Sequence, residues 1–557
     1  MLPPYPASLW RPVAERLRPQ AGCHMLNDAM QKPAVRQSSI LPAVIVVVAT
    51  SIAVHAQGPG RGAAPPPEIR PKNLIANAAP VRTCESLTSV MLPNTTIDSA
   101  AIDPSDGSCR IGATVTHPPA GDQVKVFIGI PMKDWNGRFE GTGGGGFSGG
   151  NANGVRQPLS IGYAAGATDT GHPGASGSFV LDSTGHLNWQ LLRDNAYLGI
   201  HEMTTTGKAL TQALYNTEPR YSYFMGCSTG GRQAMSEAQR YPEDYNGVVA
   251  GAPAINWTKL HVEQLWGNLN MMLAGNYVPQ CKFEAATNAA IAACDKIDGV
   301  EDGVIEDPLR CNFDPKELIG KSAGDCGTFT EADAAVIRAI WDGPRRRDGS
   351  FLWYGLTRGA SFAGLSGTGG NPVTGMPNNI TLEWWRYFLN QNPQWDWHTL
   401  TRESYENYWT QSVEEFSAVI ATDNPDLTAF RDHGGKVILW HGLADQLIYP
   451  QGTMDYYKRV QQQMGGADKI SAFARFFLAP GVGHCGGGSG PQPGGQLDAL
   501  VHWVEDGKTP DTLLATRRDQ TGKAVRTRPL CQYPLVAKYK GTGSTDEAAN
   551  FACSAGF

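Results

Sequence analysis

The feature that most constrains this chain is a five-residue run set between two periodicities. Residues 221–225, Tyr-Ser-Tyr-Phe-Met, read as a short apolar strand and 231–240 as a helix, with Gly226-Cys227-Ser228-Thr229-Gly230 between them. A strand that turns at once into a helix crowds its own corner, so glycines flank a residue on a sharp, strained turn that exposes its hydroxyl. The spacing occurs twice, because Gly146-Phe147-Ser148-Gly149-Gly150 matches it as well. That copy lies in a glycine run with neither a strand before it nor a helix after it, so context selects Ser228.

The surrounding text alternates in the same way. Val124, Val126, Ile128 and Ile130 mark a strand, Asn136-Gly137 a tight turn, 161–167 a second apolar stretch and 248–250 another strand. After about Ala252 the alternation stops, and 253–430 hold most of the tryptophans and four cysteines. It resumes with a strand at 436–440, a helix at 452–463, a strand at 476–478 and a helix at 496–506. That last helix carries Leu497, Leu500, Val501 and Val504 on one face. Strands alternating with helices predict a mostly parallel sheet covered by helices. The 557 residues therefore read as one catalytic domain, 81–252 and 436–557, with 253–435 inserted. No repeat of 20–50 residues is present, which excludes a solenoid or propeller.

A serine nucleophile needs a base, and the base needs an orienting carboxylate. In the α/β-hydrolase fold these follow in the order Ser, acid, His, each just after a strand. Asp445 sits five residues beyond the 436–440 strand, and His484 follows the 476–478 strand in Pro480-Gly-Val-Gly-His484. Of the 12 histidines, only His484 and His502 follow Asp445, and His502 lies inside the last helix. The glycine run 143–146 offers backbone N–H groups that approach a substrate closely. One oxyanion donor is expected from Gly144 or Gly145 and the other from Thr229, the residue after the nucleophile.

The N-terminus reads as an export signal. Lys32 and Arg36 precede an apolar run at 41–54, which ends in Val54-His55-Ala56. Basic, then apolar, then small-x-small is a signal peptide, here within 1–56 and cleaved after Ala56. The run is shorter than the ~20 residues of a membrane span. Met1, Met25 and Met30 all remain open as the start, and Gly, Pro and Ala-rich 57–80 read as a flexible leader. Cleavage takes the balance from 46 basic against 52 acidic residues to 41 against 50, and the cysteines from 11 to 10. An acidic chain offers no footprint for nucleic acid or an anionic membrane. An even cysteine count without any Cys-x-x-Cys, in a secreted or periplasmic protein, points to disulfides. Cys227 adjoins Ser228 and Cys485 adjoins His484, so a working Ser–His pair brings both within bridging range, and a Cys227–Cys485 bond is expected.

Four segments together resemble the tannase and feruloyl esterase family of α/β-hydrolases, from about Cys84 to Cys553. They are Gly226-Cys-Ser-Thr-Gly-Gly-Arg-Gln233, Thr168-Asp-Thr-Gly-His172, the cysteines beside Ser228 and His484, and Cys294-Asp-Lys-Ile-Asp-Gly-Val-Glu-Asp-Gly-Val-Ile305. In the last, Asp295, Asp298 and Asp302 are interspersed with Gly299 and Gly303, a loop suited to a hard cation although not spaced as an EF-hand. The resemblance implies a structural calcium ion held by these three carboxylates and the carbonyls of Val300 and Val304. It also implies that 253–435 form a lid and that Cys294–Cys311 and Cys531–Cys553 pair. Cys84–Cys109 is the next expected bridge. The family often has two cysteines before the helix that starts here near Thr330. This chain has only Cys326, which leaves Cys281 as its partner by elimination.

The expected activity is that of a serine carboxylesterase on small aromatic esters, gallic, hydroxycinnamic or related. Terephthalate monoesters, and a peptidase or lactonase on the same scaffold, are the near alternatives. A catalytically silent extracellular binding protein predicts loss of a triad member, and all three are present. The lid aromatics Trp384, Trp385, Tyr387, Phe388, Trp395, Trp397 and Trp409 read chiefly as core, with some available to stack on a substrate ring. Arg386 is a candidate partner for a carboxylate or phenol.

Overall fold

A computed structural model describes residues 71–556; the expected signal peptide lies outside the described residues. Nine strands form the central sheet: β1 (Thr95–Ile102), β2 (Cys109–Val115), β3 (Val124–Ile130), β4 (Arg138–Thr142), β5 (Ala164–Thr168), β6 (Tyr221–Cys227), β7 (Gly247–Gly251), β8 (Lys436–Gly442) and β9 (Ala474–Ala479). Their order is β1-β2-β3-β5-β4-β6-β7-β8-β9. Pairings from β5 through β9 are parallel, and β1, β2, β3 and β5 pair antiparallel. The parallel centre is buried on both faces, as the wholly buried β5 and β7 show. The sequence had not revealed the antiparallel edge. β1 buries only Ala100, so it carries no apolar alternation to read.

The helices Gly199–Tyr215, Thr229–Arg240, Pro450–Gln463 and Gln496–Asp506 cover the sheet. Beyond them, two small antiparallel sheets, Gln492–Gly494 with Thr512–Arg518 and Ala524–Cys531, and Val536–Tyr539 with Phe551–Ser554, close the C-terminal part. The insertion leaves after β7 and returns at β8, which pair directly from Gly247–Lys436 to Gly251–Trp440. A long excursion between two adjacent strands leaves the sheet unbroken.

The inserted segment keeps one apolar cluster almost wholly its own, including Phe283, Ile337, Ile340 and Phe362, and shares a second with the rest of the chain. Trp384, Trp385 and Phe388 are fully buried in a cluster that also takes Phe147, Val180, Leu192 and Ala196 from before β7. Each such ring removes about 150–250 Å² from water, so shared apolar burial ties the inserted segment to the residues before β7.

The stretch read as a flexible leader is docked from Pro71 onward. Leu74 N–H donates to the Asn136 carbonyl at 3.0 Å and Val81 N–H to that of Leu214 at 2.8 Å, while Ile75 and Ala78 pack on the main core. The correction has a tertiary cause: Arg138, buried at the start of β4, donates to the Lys72 carbonyl. All five expected disulfides are present, Cys84–Cys109, Cys227–Cys485, Cys281–Cys326, Cys294–Cys311 and Cys531–Cys553. Among the described residues no helix is long and apolar enough to cross a membrane.

Candidate active site

Ser228 stands between β6 and the helix Thr229–Arg240 with φ 63° and ψ −121°, a conformation that is strained for a residue with a Cβ. Three bonds hold it there: its N–H donates to the Gly251 carbonyl at 2.9 Å, and its carbonyl accepts from Arg232 at 3.0 Å and Ala254 at 3.1 Å. Gly226 and the facing Gly143 are sterically required, whereas a Cβ on Gly230 would come no closer than 3.3 Å to its neighbours. A Cβ on Gly226 would lie 2.5 Å from the Gly230 backbone, and one on Gly143 2.5 Å from the Gly230 Cα. Ser148, by contrast, closes a tight turn in which Gly145 and Ser148 exchange backbone hydrogen bonds.

Asp445 and His484, the candidate acid and base, lie on the loops after β8 and β9. Asp445 is fully buried, and its Oδ1 accepts the N–H groups of Leu447 at 2.8 Å and Ile448 at 2.9 Å. Its Oδ2 meets His484 Nδ1 at 2.9 Å and His441 Nε2 at 3.1 Å. Burial opposes ionisation, but the His484 charge and the bonds from His441 and His484 outweigh it and hold the carboxyl below the usual carboxylate range. His484 is fixed in turn by its own N–H, which donates to Gln446 Oε1 at 3.1 Å. Ser228 and His484 line one cavity, and the Cys227–Cys485 bond joins their loops.

His441 is a site residue that sequence reasoning missed. Its Nε2 also lies 2.9 Å from the Ile448 carbonyl, which only accepts, so the proton sits on Nε2 and Nδ1 accepts from Thr453 Oγ1 at 2.9 Å. The one available signal was its position four residues before Asp445.

The expected loop donors need correction. Gly144, Gly145 and Thr229 all line the cavity, but Gly144 N–H donates to Gln233 Oε1 at 2.9 Å and Gly145 N–H to the Ser148 carbonyl at 3.2 Å. Gly146, at φ 60°, has no acceptor for its N–H among the described residues. Thr229 opens a helix, where no helical carbonyl reaches its N–H, and its hydroxyl ties the elbow to the Gly146 carbonyl at 2.6 Å. The Thr168–His172 segment braces this loop from behind: His172 Nε2 meets the Phe147 carbonyl at 2.8 Å.

The cavity measures about 400 Å³, the scale of a single aromatic ligand. Its walls are mostly apolar, with Trp257, Leu260, Ile380 and Ile448 among them. None of the seven lid aromatics singled out in the sequence lines it. Arg386 is also elsewhere, donating to the Trp395 carbonyl at 3.3 Å. His261, in the wall, is pushed down to about 3 by burial, with the Arg232 charge adding to the effect. It is neutral, and its Nδ1 faces Gln264 Oε1 at 2.9 Å.

The acidic loop 295–304, within the inserted segment, lies apart from this cavity and against the C-terminal strands. Gly299 and Gly303 both adopt positive φ, 85° and 80°. Asp302 Oδ2 pairs with Arg528 at 2.6 Å, while burial and the charges of Asp302 and Asp295 push Asp298 up to about 6.

A mostly parallel sheet with a serine on a strained strand-to-helix corner, and a histidine and carboxylate on the loops after β8 and β9, defines an α/β-hydrolase. The chain belongs to the tannase and feruloyl esterase family, which it matches over residues 109–554, and is an ester hydrolase. It is 42% identical to a probable feruloyl esterase of Arthroderma benhamiae, over 84% of this chain and 87% of that one. It is 31% identical to the mono(2-hydroxyethyl) terephthalate hydrolase of Piscinibacter sakaiensis, over 78% and 82%. Among solved structures, feruloyl esterase B from Aspergillus oryzae superimposes with a TM-score of 0.74 at 29% identity, over 85% of this chain and 99% of that chain. Tannin acyl hydrolase from Aspergillus niger gives 0.77 at 26% identity, over 85% and 95%.

Proposed function

We propose that this chain is an exported serine carboxylesterase acting on esters of phenolic aromatic acids, of the hydroxycinnamic or gallic type. The supporting observation is that Ser228 and His484 line one ring-sized apolar cavity while Asp445 sits on the far nitrogen of His484. In this reading Ser228 Oγ attacks the ester carbonyl, His484 takes its proton and returns it to the departing alcohol, and Asp445 stabilises the imidazolium. Water, activated by the same histidine, then hydrolyses the acyl-enzyme. Thr229 N–H and Gly146 N–H are the donors for the oxyanion.

The cavity favours an uncharged ring over a terephthalate monoester. No Lys or Arg lines it, and a buried carboxylate without a partner is costly. Export is supported by the five disulfides together with the signal-like leader. Calcium suits the 295–304 loop by donor type alone, three carboxylates and two carbonyls on a loop bent by Gly299 and Gly303, since the three carboxylates do not all converge within 4.8 Å of one another. There Asp295, Asp298, Asp302 and the carbonyls of Val300 and Val304 would hold it, and it would supply structural cross-linking remote from the reacting ester.

The test is Ser228→Ala assayed on methyl ferulate, methyl gallate and a terephthalate monoester. Loss of hydrolysis with an unchanged melting temperature is expected, and wild-type turnover by the variant would refute the assignment. Terephthalate monoester turnover above that of the phenolic esters would overturn the substrate reading alone.

A further inference from the structure

We propose that His117, Asp122 and Asp194 bind one divalent transition-metal ion of the zinc class, at a site separate from both the catalytic cavity and the 295–304 loop. His117 follows β2, Asp122 precedes β3, and Asp194 opens a single π-turn, Asp194–Leu198, that interrupts the helical run from Trp189 to Tyr215. Such turns recur at functional sites.

The three side chains converge. His117 Nδ1 lies 2.6 Å from Asp122 Oδ2 and 3.6 Å from Asp194 Oδ1, and one ligating atom from each falls within 4.8 Å of the others. Ligands about 2.0–2.2 Å from a tetrahedral zinc stand about 3.3 Å apart, so these separations bracket the spacing such an ion imposes. Among the described residues this is the only grouping of three His, Cys, Asp or Glu side chains that meets that criterion.

Each ligand is also oriented from outside. His117 N–H donates to Asp122 Oδ1 at 3.1 Å, leaving Oδ2 turned to the imidazole. Gln190 donates to Asp194 Oδ1 at 2.8 Å, and Glu202 stands 3.5 Å from His117 Nε2. The Glu202 carboxylate is thus at ion-pair distance from the far nitrogen, which makes no hydrogen bond of its own. An independent sign is that Asp194 is fully buried and its Oδ2 has no hydrogen-bond donor. Two carboxylates and one imidazole thus offer a donor set for a divalent cation. A mixed nitrogen and oxygen set suits zinc better than calcium.

The site would brace the active-site loop without touching substrate. Asn195, next to Asp194, donates to the Phe147 carbonyl at 3.2 Å, and the Asn195 and Ala196 carbonyls accept from Arg232 of the helix that follows Ser228. The experiment uses the full chain stripped with chelator, returned to buffer containing Ca²⁺ and titrated with Co²⁺, then Zn²⁺. Expected are one saturating Co²⁺ per chain with a visible d–d band that Zn²⁺ abolishes, and a higher melting temperature with Zn²⁺. His117→Gln and Asp122→Asn should lose the band, whereas Asp302→Asn, in the calcium loop, should keep it. No saturable band in the wild-type chain, or an undiminished band in His117→Gln, would overturn the proposal.

Discussion

Cys227 and Cys485 are bonded with their Cα atoms 5.9 Å apart although 258 residues separate them in sequence, and each immediately adjoins a member of the Ser–His pair. Both loops carry strained corners, Ser228 at φ 63° and Cys485 at φ 57°, so the bond ties together two conformations that relax if released. Closing a loop of that length is worth about 5 kcal/mol in the chain-entropy account. The double variant Cys227→Ser/Cys485→Ser is expected to fold with a lowered melting temperature. It should lose about ten- to a hundredfold in kcat, because small misplacements of catalytic groups cost that much. Wild-type kcat in a folded double variant would show that the bond has no positioning role.

The glycine loop gives a pair of opposite expectations. A Cβ on Gly144 would fall 2.1 Å from the Ser148 carbonyl oxygen, whereas one on Gly145 meets nothing within 4 Å. Gly144→Ala should therefore displace the turn carrying Gly146 and abolish hydrolysis. Gly145→Ala should leave kcat/KM near that of the wild type, since its N–H is already committed to Ser148. Steady-state kinetics on the two variants decide the point, and a large loss in Gly145→Ala would return that residue to the oxyanion hole.

The placement of Ser228, Asp445 and His484 about one site was legible because the α/β alternation fixes where loops emerge, and chain order then selects the residues. The loop donors were not. Which N–H remains free depends on Gln233, 89 residues from Gly144, and no local pattern records that contact. The tryptophan-rich stretch read as lid core with some rings open to substrate; Trp384 and Trp385 are fully buried, and Trp257, at the start of the same stretch but not among the rings singled out, supplies the aromatic wall. The β1 edge and the docked leader escaped for a shared reason, since both gain their place from long-range contacts rather than from apolar period.

If calcium occupies the 295–304 loop as proposed, its removal should act on stability before chemistry. Asp302 is held by Arg526 at 3.2 Å and Arg528 at 2.6 Å, so the 295–304 loop joins the lid to the C-terminal strands. Binding to the folded state alone contributes about 2.7 kcal/mol at a hundredfold excess over Kd. A calcium-selective chelator should lower the melting temperature by several degrees, with recovery on adding Ca²⁺. An unchanged melting temperature would count against an ion in this loop.

His441 should behave as a positioning residue. It donates to Asp445 and the Ile448 carbonyl without lining the cavity, and a hydrogen bond to a charged group is worth about 1.5–3 kcal/mol. His441→Ala is expected to reduce kcat by about ten- to a hundredfold with little change in KM. His441→Gln, which keeps a donor, should recover part of the loss. Equal loss of kcat in both, with matched melting temperatures, would argue that the ring rather than its N–H is what matters.

Asp445 sets the acid side of stability. Its carboxyl is held below the usual range by His484 and His441. A depressed folded pKa contributes stability that is complete above the unfolded value, about 3.9, and is lost as pH falls toward the folded one. Asp445→Asn has no such charge, so the gap in melting temperature between wild type and variant should narrow as pH falls below about 4. The same variant should lose about 10⁴-fold in kcat, because an amide does not stabilise the imidazolium. Melting curves from pH 3 to 8 test the first statement, and a gap that widens toward acid would show that the aspartate is protonated in the folded protein.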